Sequence, residues 1–114
     1  MTADARGTFS YVVHASFDDP RVADEWIAWL RDGHLADVQR GGALSAEVVR
    51  LDRADAAATS VACEVRYRFA SRDAFDRYLR DVAPALRAEG LAKFPPERGI
   101  RYQRTTGDVV IDRA

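Results

Sequence analysis

The sequence predicts an α+β domain in which two helices cover one face of a four-stranded antiparallel sheet. Alternating apolar and polar residues, which are typical of half-buried strands, occur in the segments 8–17, 61–69 and 100–106. Apolar residues at helical spacing follow the first two of these segments. A chain of 114 residues has the usual size of one domain. We therefore expect a single folded domain over 8–114, preceded by a disordered N-terminal extension over 1–7.

Between the first strand and the first helix, the spacing of apolar residues changes from every second residue to every third or fourth. The strand directs one set of side chains towards the core, namely Phe9, Tyr11, Val13, Ala15 and Phe17. Asp19 and Pro20 predict the start of the helix, because a carboxylate caps free N–H groups and proline fits the first turn. The helix buries Val22, Ala23, Trp26, Ile27 and Leu30. We expect Gly33 to weaken or end it, with one or two further turns before Gly41 and Gly42.

The second and third predicted strands are joined by a polar, alanine-rich connection over 52–60. The second strand runs from Leu44 to Leu51 and is apolar on both faces. One face carries Leu44, Ala46 and Val48, and the other carries Val49 and Leu51. The third strand alternates most regularly and directs inwards Val61, Cys63, Val65, Tyr67 and Phe69.

The second helix begins after Ser71, a residue type that caps helix N-termini. Its apolar stripe is Phe75, Tyr78, Leu79 and Val82. Because Pro84 cannot occupy the interior of an undisturbed helix, we expect a kink or a restart there. The next buried positions are Leu86, Leu91 and Phe94, before Pro95 and Pro96 end the helix. The remaining predicted segments are a fourth strand over Ile100–Thr106, a turn at Gly107–Asp108 and a short fifth strand over Val109–Ile111.

The element order β-α-β-β-α-β is that of the ferredoxin-like fold. Right-handed crossovers place both helices on one side of the sheet, with the first and third strands adjacent at its centre. The opposite face, called the open face below, then carries His14, Glu64, Arg66 and Arg68, with Arg101 and Gln103 nearby. Because the second strand is apolar on both faces, a second subunit is expected to cover the open face. The sequence therefore predicts a homodimer packed sheet to sheet.

Composition argues against several classes of partner. The net charge is −1, so the chain offers no basic field to nucleic acid or to an anionic membrane. RNA-recognition domains of this topology place aromatic residues on the open face. Here those positions hold Ser10, Val12, His14, Glu64, Arg66 and Arg68. We find no signal peptide and no apolar run of the ~20 residues that a membrane helix needs.

The single cysteine, Cys63, cannot form an internal disulfide, which fits a reducing compartment. Its alternation with inward-facing residues predicts a buried thiol. The basic residues are almost all arginine, with Lys93 the one lysine, as is typical of GC-rich bacterial genomes. We therefore expect a bacterial, cytoplasmic protein.

Several residues also carry a resemblance to a known family. They are Trp26, Trp29, Leu30 and His34, then Phe75, Tyr78 and Leu79, then the run Ala83–Arg87 and Phe94. Over most of its length the chain resembles a family of short bacterial domains of unknown function with a ferredoxin-like fold. That family is similar to the dimeric α/β-barrel superfamily, which includes cofactor-free monooxygenases, muconolactone isomerases and haem-degrading enzymes. The resemblance implies a dimeric α/β-barrel type of fold and no established activity.

Two histidines are the main candidates for chemistry, because an ordinary pKa of about 6.5 suits proton transfer. His34 either lines a pocket and acts as a base, or caps carbonyls at the end of the first helix. His14 lies beside Glu64 and Arg66. These three residues form either a site that binds an anion or transfers a proton, or a polar ladder between the strands. Trp29 stacks a planar ligand or packs on the helix flank. The full set of candidate ligand-binding residues is His14, Trp29, His34, Glu64, Arg66, Arg68 and Arg101.

No motif predicts a cofactor or a metal. The two histidines and the cysteine lack ligand-like spacing, and there is no phosphate-binding loop or nucleophile elbow. The expected function is a small homodimeric domain that binds a small molecule between the two sheets. The alternatives are a structural or protein-interaction module and a cofactor-free acid–base enzyme resembling monooxygenases or isomerases, since fold alone does not fix function.

Overall fold

One antiparallel sheet is formed by four strands, β1 (Phe9–Phe17), β2 (Ala43–Arg50), β3 (Val61–Phe69) and β4 (Ile100–Asp108). Their spatial order is β2-β3-β1-β4, with β1 and β3 adjacent at the centre as predicted. The computed structural model describes residues 8–52 and 60–113. The predicted extension over 1–7 lies outside the described residues, as does most of the predicted connection between the second and third strands.

The helical segments within the described residues are α1 (Pro20–Trp29), α2 (Leu35–Arg40), α3 (Arg72–Asp81) and α4 (Ala83–Lys93). A π-helical turn over Leu30–His34 joins α1 to α2, and a short 3-10 turn over Pro96–Arg98 precedes β4. None of these segments is long and apolar enough to span a membrane. Each of the two predicted helices is therefore a pair of shorter helices. The order of the strands and helices along the chain is the one predicted, which confirms the α+β fold.

The register of the central strands confirms the predicted phase. Phe9 pairs with Phe69 and Tyr11 pairs with Tyr67, so that each pair lies on the same face of the sheet. All four side chains are buried. The ring of Tyr11 lies 4.9 Å from that of Phe75 on α3, measured between centroids. The inward face of the sheet is therefore the face that the helices cover.

The start of α1 and the break after it follow from single residues. The side chain of Asp19 accepts a hydrogen bond of 2.9 Å from the backbone N–H of Arg21, and Pro20 occupies the first helical position. Trp26 packs into the core with its ring centroid 5.3 Å from that of Phe17. Gly33 departs from helical geometry, which explains the π-helical turn between α1 and α2.

The break between α3 and α4 occurs where Pro84 predicts it. Ser71 caps α3 by accepting a hydrogen bond of 3.0 Å from the backbone N–H of Ala74. Val82 has non-helical dihedral angles, and α4 restarts at Ala83 with proline in its first turn. The restart gives α4 its own phase, so Leu86 and Phe94 are buried whereas Leu91 is 51% exposed. The predicted burial of Leu91 is therefore wrong.

The predicted grouping of Leu44 with Ala46 and Val48 on one face of β2 is wrong at Leu44. A bulge between Ala43 and Ser45 inserts one extra residue opposite β3. Ala43 takes the buried position facing Phe69, and Leu44 is 61% exposed. Alternation in a sequence does not reveal such an insertion, because a bulge shifts the phase of the residues before it.

The C-terminal segment also departs from prediction. Gly107 and Asp108 continue β4 instead of turning, because β1 extends far enough to pair with both of them. The segment Val109–Ile111 is not a strand. The backbone N–H of Val109 donates to the carbonyl of Thr8 at 3.2 Å, after which the chain leaves the sheet edge.

Candidate ligand-binding site

A cavity of about 170 Å³ lies between the inward face of the sheet and the helices. Its floor is formed by Tyr11 and Tyr67 of the central strands, and its walls include Trp29, Leu30 and Leu86. An apolar protein cavity of about 150 Å³ holds one benzene molecule. The cavity is therefore large enough for a single aromatic ring, and its lining is aromatic itself.

Four tyrosines line this cavity, namely Tyr11, Tyr67, Tyr78 and the half-buried Tyr102. The hydroxyl of Tyr11 accepts a hydrogen bond of 3.2 Å from the Nη2 of Arg87. Burial raises the pKa of Tyr78 to about 12, and burial raises the pKa of Tyr67 as well. Tyr11, Tyr67 and Tyr78 all line the cavity and are buried. At neutral pH, Tyr67 and Tyr78 are therefore neutral hydroxyls that donate and accept hydrogen bonds.

Two arginines, Arg87 of α4 and Arg104 of β4, line the mouth of the cavity and are exposed. Within residues 8–52 and 60–113, neither guanidinium pairs with a carboxylate. Most other arginines of the described residues do so, as in the contacts from Arg50 to Asp24 at 2.8 Å and from Arg98 to Glu25 at 2.7 Å. The mouth therefore carries uncompensated positive charge.

His34 and Trp29 form one wall of the cavity. Their rings stack with centroids 4.1 Å apart. Burial lowers the pKa of His34, and the charge of Asp37 opposes this effect only in part. A Cβ atom at Gly90 would lie 3.2 Å from the indole of Trp29, so the glycine lets this ring pack closely against α4. His34 is therefore a neutral imidazole at the cavity. The backbone is helical before and after it, and its side chain makes no capping hydrogen bond.

The remaining candidates from the sequence lie on the open face, as the strand phase predicts. The Nδ1 of His14 lies 3.3 Å from a carboxylate oxygen of Glu64, and Arg66 donates to the other oxygen at 2.9 Å. The hydrogen bond with Arg66, and to a smaller extent that with His14, lowers the pKa of Glu64. Arg66 also approaches Glu47 at 3.5 Å. These groups form the cross-strand ladder that was one of the two interpretations.

Two further arginines of the predicted set are paired at the margins of the open face. Arg68 contacts Asp112 at 3.1 Å, and Arg101 donates to Asp18 at 2.9 Å. The sheet lies between the two histidines, so the structure does not bring His14 and His34 into one site. Among the described residues, no group of three or more histidine, cysteine, aspartate or glutamate side chains could hold a metal ion.

The open face has a shallow depression of about 230 Å³, lined by Ser10, Val12, Ser45, Glu47, Arg66, Tyr67 and Arg68. Its charged groups are already engaged with one another or with Asp112. The cavity beneath the helices is instead enclosed by two layers and retains donors that no carboxylate of the described residues occupies. Of the two, the cavity has the properties of a ligand site.

Sequence reasoning identified only His34 and Trp29 among the groups that line this cavity. It missed the four tyrosines and the two arginines at the mouth. Tyr11 and Tyr67 share the inward face of their strands with apolar residues and were therefore assigned to core packing. The available signal was their hydroxyl group, because a buried tyrosine normally needs a polar partner.

Comparison of the sequence with known protein families places the chain in one of them. A family model described as a domain of unknown function, DUF4286, matches residues 7–103. Among curated proteins, no sequence matches the chain. The predicted resemblance to a family of unknown function is thereby confirmed.

Solved structures show the same fold at low sequence identity. Two dimeric ferredoxin-like proteins from uncultured marine organisms align with TM-scores of 0.71 and 0.67, at 8% and 13% identity. The alignments cover 94% and 93% of this chain and 98% of each neighbour. A monooxygenase from the gene ActVA-Orf6 of Streptomyces coelicolor, in complex with nanaomycin D, aligns with a TM-score of 0.62 at 21% identity. That alignment covers 97% of this chain and 96% of the monooxygenase.

Proposed function

The chain belongs to the DUF4286 family of domains of unknown function, and we propose that it is a homodimeric domain that binds a small aromatic molecule. The proposal rests on one observation. The cavity between the sheet and the helices has room for a ring, is lined by aromatic side chains and has polar donors at defined positions. The ligand thus lies on the helix side of the sheet, whereas the sequence alone suggested the space between two sheets.

An aromatic ring fits this cavity better than an aliphatic chain of similar volume. Trp29 and Tyr11 present ring surfaces to the cavity, and aromatic pairs gain about 0.5–1.5 kcal/mol beyond their buried area. The hydroxyls of Tyr67 and Tyr78 would then bond to oxygen substituents on the ring. The ActVA-Orf6 monooxygenase, which shares the fold, is described in complex with nanaomycin D. That complex shows only that this fold can enclose an organic ligand.

A second copy of the chain is the proposed partner of the open face. Val12 and Val49 are half-buried on that face, and its ladder balances Arg66 against Glu47 and Glu64. A copy of the same face would therefore meet little net charge. Two neighbours of the same fold are described as dimeric, which supports this choice of partner.

The tail after β4 adds apolar surface beside the open face. Val110 and Ile111 are 78% and 77% exposed. The tail is held near the face by the ion pair between Asp112 and Arg68. In the proposed dimer these two apolar side chains would be covered by the partner copy, because exposed apolar residues next to a sheet face commonly mark an interface.

The binding proposal is tested by isothermal titration of the purified protein with phenol, a neutral single-ring probe. We expect saturable binding with one phenol per chain. Leu91→Trp places a large side chain at the mouth and is expected to weaken binding about tenfold or more, since one lost contact of 1.4 kcal/mol has that effect. Ala92→Trp, on the neighbouring exposed position of α4, is the matched control and should bind normally. Absence of saturable binding, or equal binding by Leu91→Trp and wild type, would contradict the proposal.

A second candidate function, cofactor-free acid–base catalysis, is favoured by the state of His34. A neutral imidazole that faces the ligand cavity can accept a proton from a carbon acid bound there. The expected result is His34-dependent exchange of the acidic C–H protons of phenylacetone into D₂O, followed by NMR. Equal exchange rates for wild type and His34→Gln would exclude this role for His34.

A further inference from the structure

We propose that the ligand of the cavity is an aromatic anion, a ring that bears a carboxylate or an ionised hydroxyl held by Arg87 and Arg104 at the mouth. The inference rests on the proposed function and deepens it, because it names the chemical class of the ligand. The ring would lie on the tyrosine floor, and the charged group would point towards solvent between the two guanidiniums.

The first support is the charge of the lining. None of the described residues that line the cavity carries a carboxylate, whereas Arg87 and Arg104 carry positive charge. Most other arginines of the described residues lie within 4 Å of a carboxylate, for example Arg101 with Asp18, and Arg77 and Arg113 are the exceptions outside the cavity. A pair of arginines without such partners at the mouth of a cavity is the arrangement that recognises carboxylate and phenolate oxygens.

The second support is that both guanidiniums act on the same point. The charges of Arg87 and Arg104 each favour the ionised form of Tyr78 and so oppose the effect of burial on its pKa. Arg87 and Arg104 belong to different layers, α4 and the edge strand β4, and both line the cavity that Tyr78 also lines. An anionic oxygen placed beside Tyr78 would therefore feel both positive charges.

The third support is the orientation of the hydrogen bonds. Arg87 donates to the hydroxyl oxygen of Tyr11 at 3.2 Å, so the proton of that hydroxyl remains available to an acceptor. A guanidinium has five N–H groups, and this bond uses one of them. Arg87 thus positions the Tyr11 hydroxyl and keeps its other donors for a ligand oxygen.

The position of the charge at the mouth keeps the cost of binding low. A fully buried carboxylate loses its hydration, whereas one held at an exposed arginine pair stays partly hydrated. Hydrogen bonds to charged groups are stronger than neutral ones by enough to change affinity about tenfold. We therefore expect the anion to bind about tenfold more tightly than a neutral ring of the same shape.

The test compares 4-hydroxybenzoate with 4-hydroxybenzamide, which share a ring and a shape but differ in charge. Both are titrated calorimetrically into the wild-type protein and into Arg87→Gln and Arg104→Gln, at about pH 7.5, where a carboxyl group is ionised and a phenol is mostly neutral. Arg77→Gln on the exposed surface of α3 removes the same charge outside the cavity lining and is the matched control. Thermal unfolding of each variant verifies that it is folded, and Arg104→Gln keeps the test valid if Arg87→Gln fails to fold.

The outcomes separate the two proposals. The inference predicts that the benzoate binds about tenfold more tightly than the amide, and that either cavity variant, but not Arg77→Gln, removes most of this preference. Equal binding of both compounds would overturn the anion inference and leave the proposed function standing. Binding of neither compound would overturn both proposals. An equal loss in Arg77→Gln would show that the preference reflects overall charge, and it would also overturn the inference.

Discussion

His34 combines properties that depend on its surroundings more than on its residue type. Its ring stacks on Trp29, it lines the cavity, and burial holds its pKa below the ordinary value of 6.5. The sequence singled out His34 and Trp29 because they stand close together in a helical segment. The π-helical turn over Leu30–His34 brings the imidazole back onto the indole, and residue types alone do not predict such a turn.

The depressed pKa of His34 predicts a pH-dependent stability. In the unfolded chain His34 takes up its proton near pH 6.5, whereas the folded chain takes it up only at lower pH. The free energy of unfolding therefore falls as the pH drops below about 6.5, and the loss is complete below the folded pKa. His34→Gln lacks this term. We measure the free energy of unfolding of both proteins by denaturant unfolding across this pH range. As the pH falls, the wild type should lose more stability than His34→Gln. Equal losses in the two proteins would contradict the burial of His34.

The arginines and tyrosines of the cavity show why the site was only partly predictable at this scale. Arg87 lies on the exposed side of α4 and far in sequence from Tyr11, to which it donates. Arg104 occupies an inward-facing position of β4, where apolar residues are normally expected. Such positions acquire their meaning only when helix and sheet are packed together. The open-face ladder between His14 and Glu64 was predictable instead, because strand register alone sets it.

The elements themselves were largely predictable because their boundaries depend on local chemistry. Asp19 and Ser71 accept the backbone bonds that start α1 and α3, and Pro84 lies at the restart of α4. The errors in the strands arose where pairing with a distant segment decides the outcome. The bulge at Leu44 and the continuation of β4 through Gly107 both depend on neighbouring strands.

The cap at Ser71 predicts a measurable contribution to stability. Removing its hydroxyl in Ser71→Ala leaves the N–H of Ala74 without its acceptor and should lower the free energy of unfolding by about 0.5–2 kcal/mol. Ser71→Asp should restore most of the loss, since a carboxylate also caps this position and interacts favourably with the helix dipole. Chemical denaturation followed by circular dichroism measures both changes. Equal stabilities of the alanine and aspartate variants would count against the cap.

At the scale of the whole molecule, the helices and the open face give the sheet two different roles. The helix-covered face holds the core and the cavity, and the open face carries the polar ladder, Val12 and Val49. A one-residue shift of β1 would exchange these two sets of side chains. The proposed division between ligand and partner therefore depends on the strand phase that the sequence predicted.

The proposed dimer predicts a mass in solution of twice that of one chain, measured by size-exclusion chromatography with light scattering. Val12→Arg should shift the protein to monomers without unfolding it, because it adds charge to the open face and leaves the core untouched. Ala85→Arg, on an exposed position of α4, is the control and should remain dimeric. A monomeric wild type at micromolar concentration would be incompatible with the dimer.

The location of a bound ring tests the central claim most directly. We propose NMR of the protein saturated with 4-hydroxybenzoate, with intermolecular NOEs measured from the ring protons of the ligand. The account predicts NOEs to Tyr11, Tyr67 and Trp29, which line the cavity beneath the helices. NOEs to the methyl groups of Val12 and Val49 on the open face, without those to the cavity, would contradict it and place the ligand between two sheets.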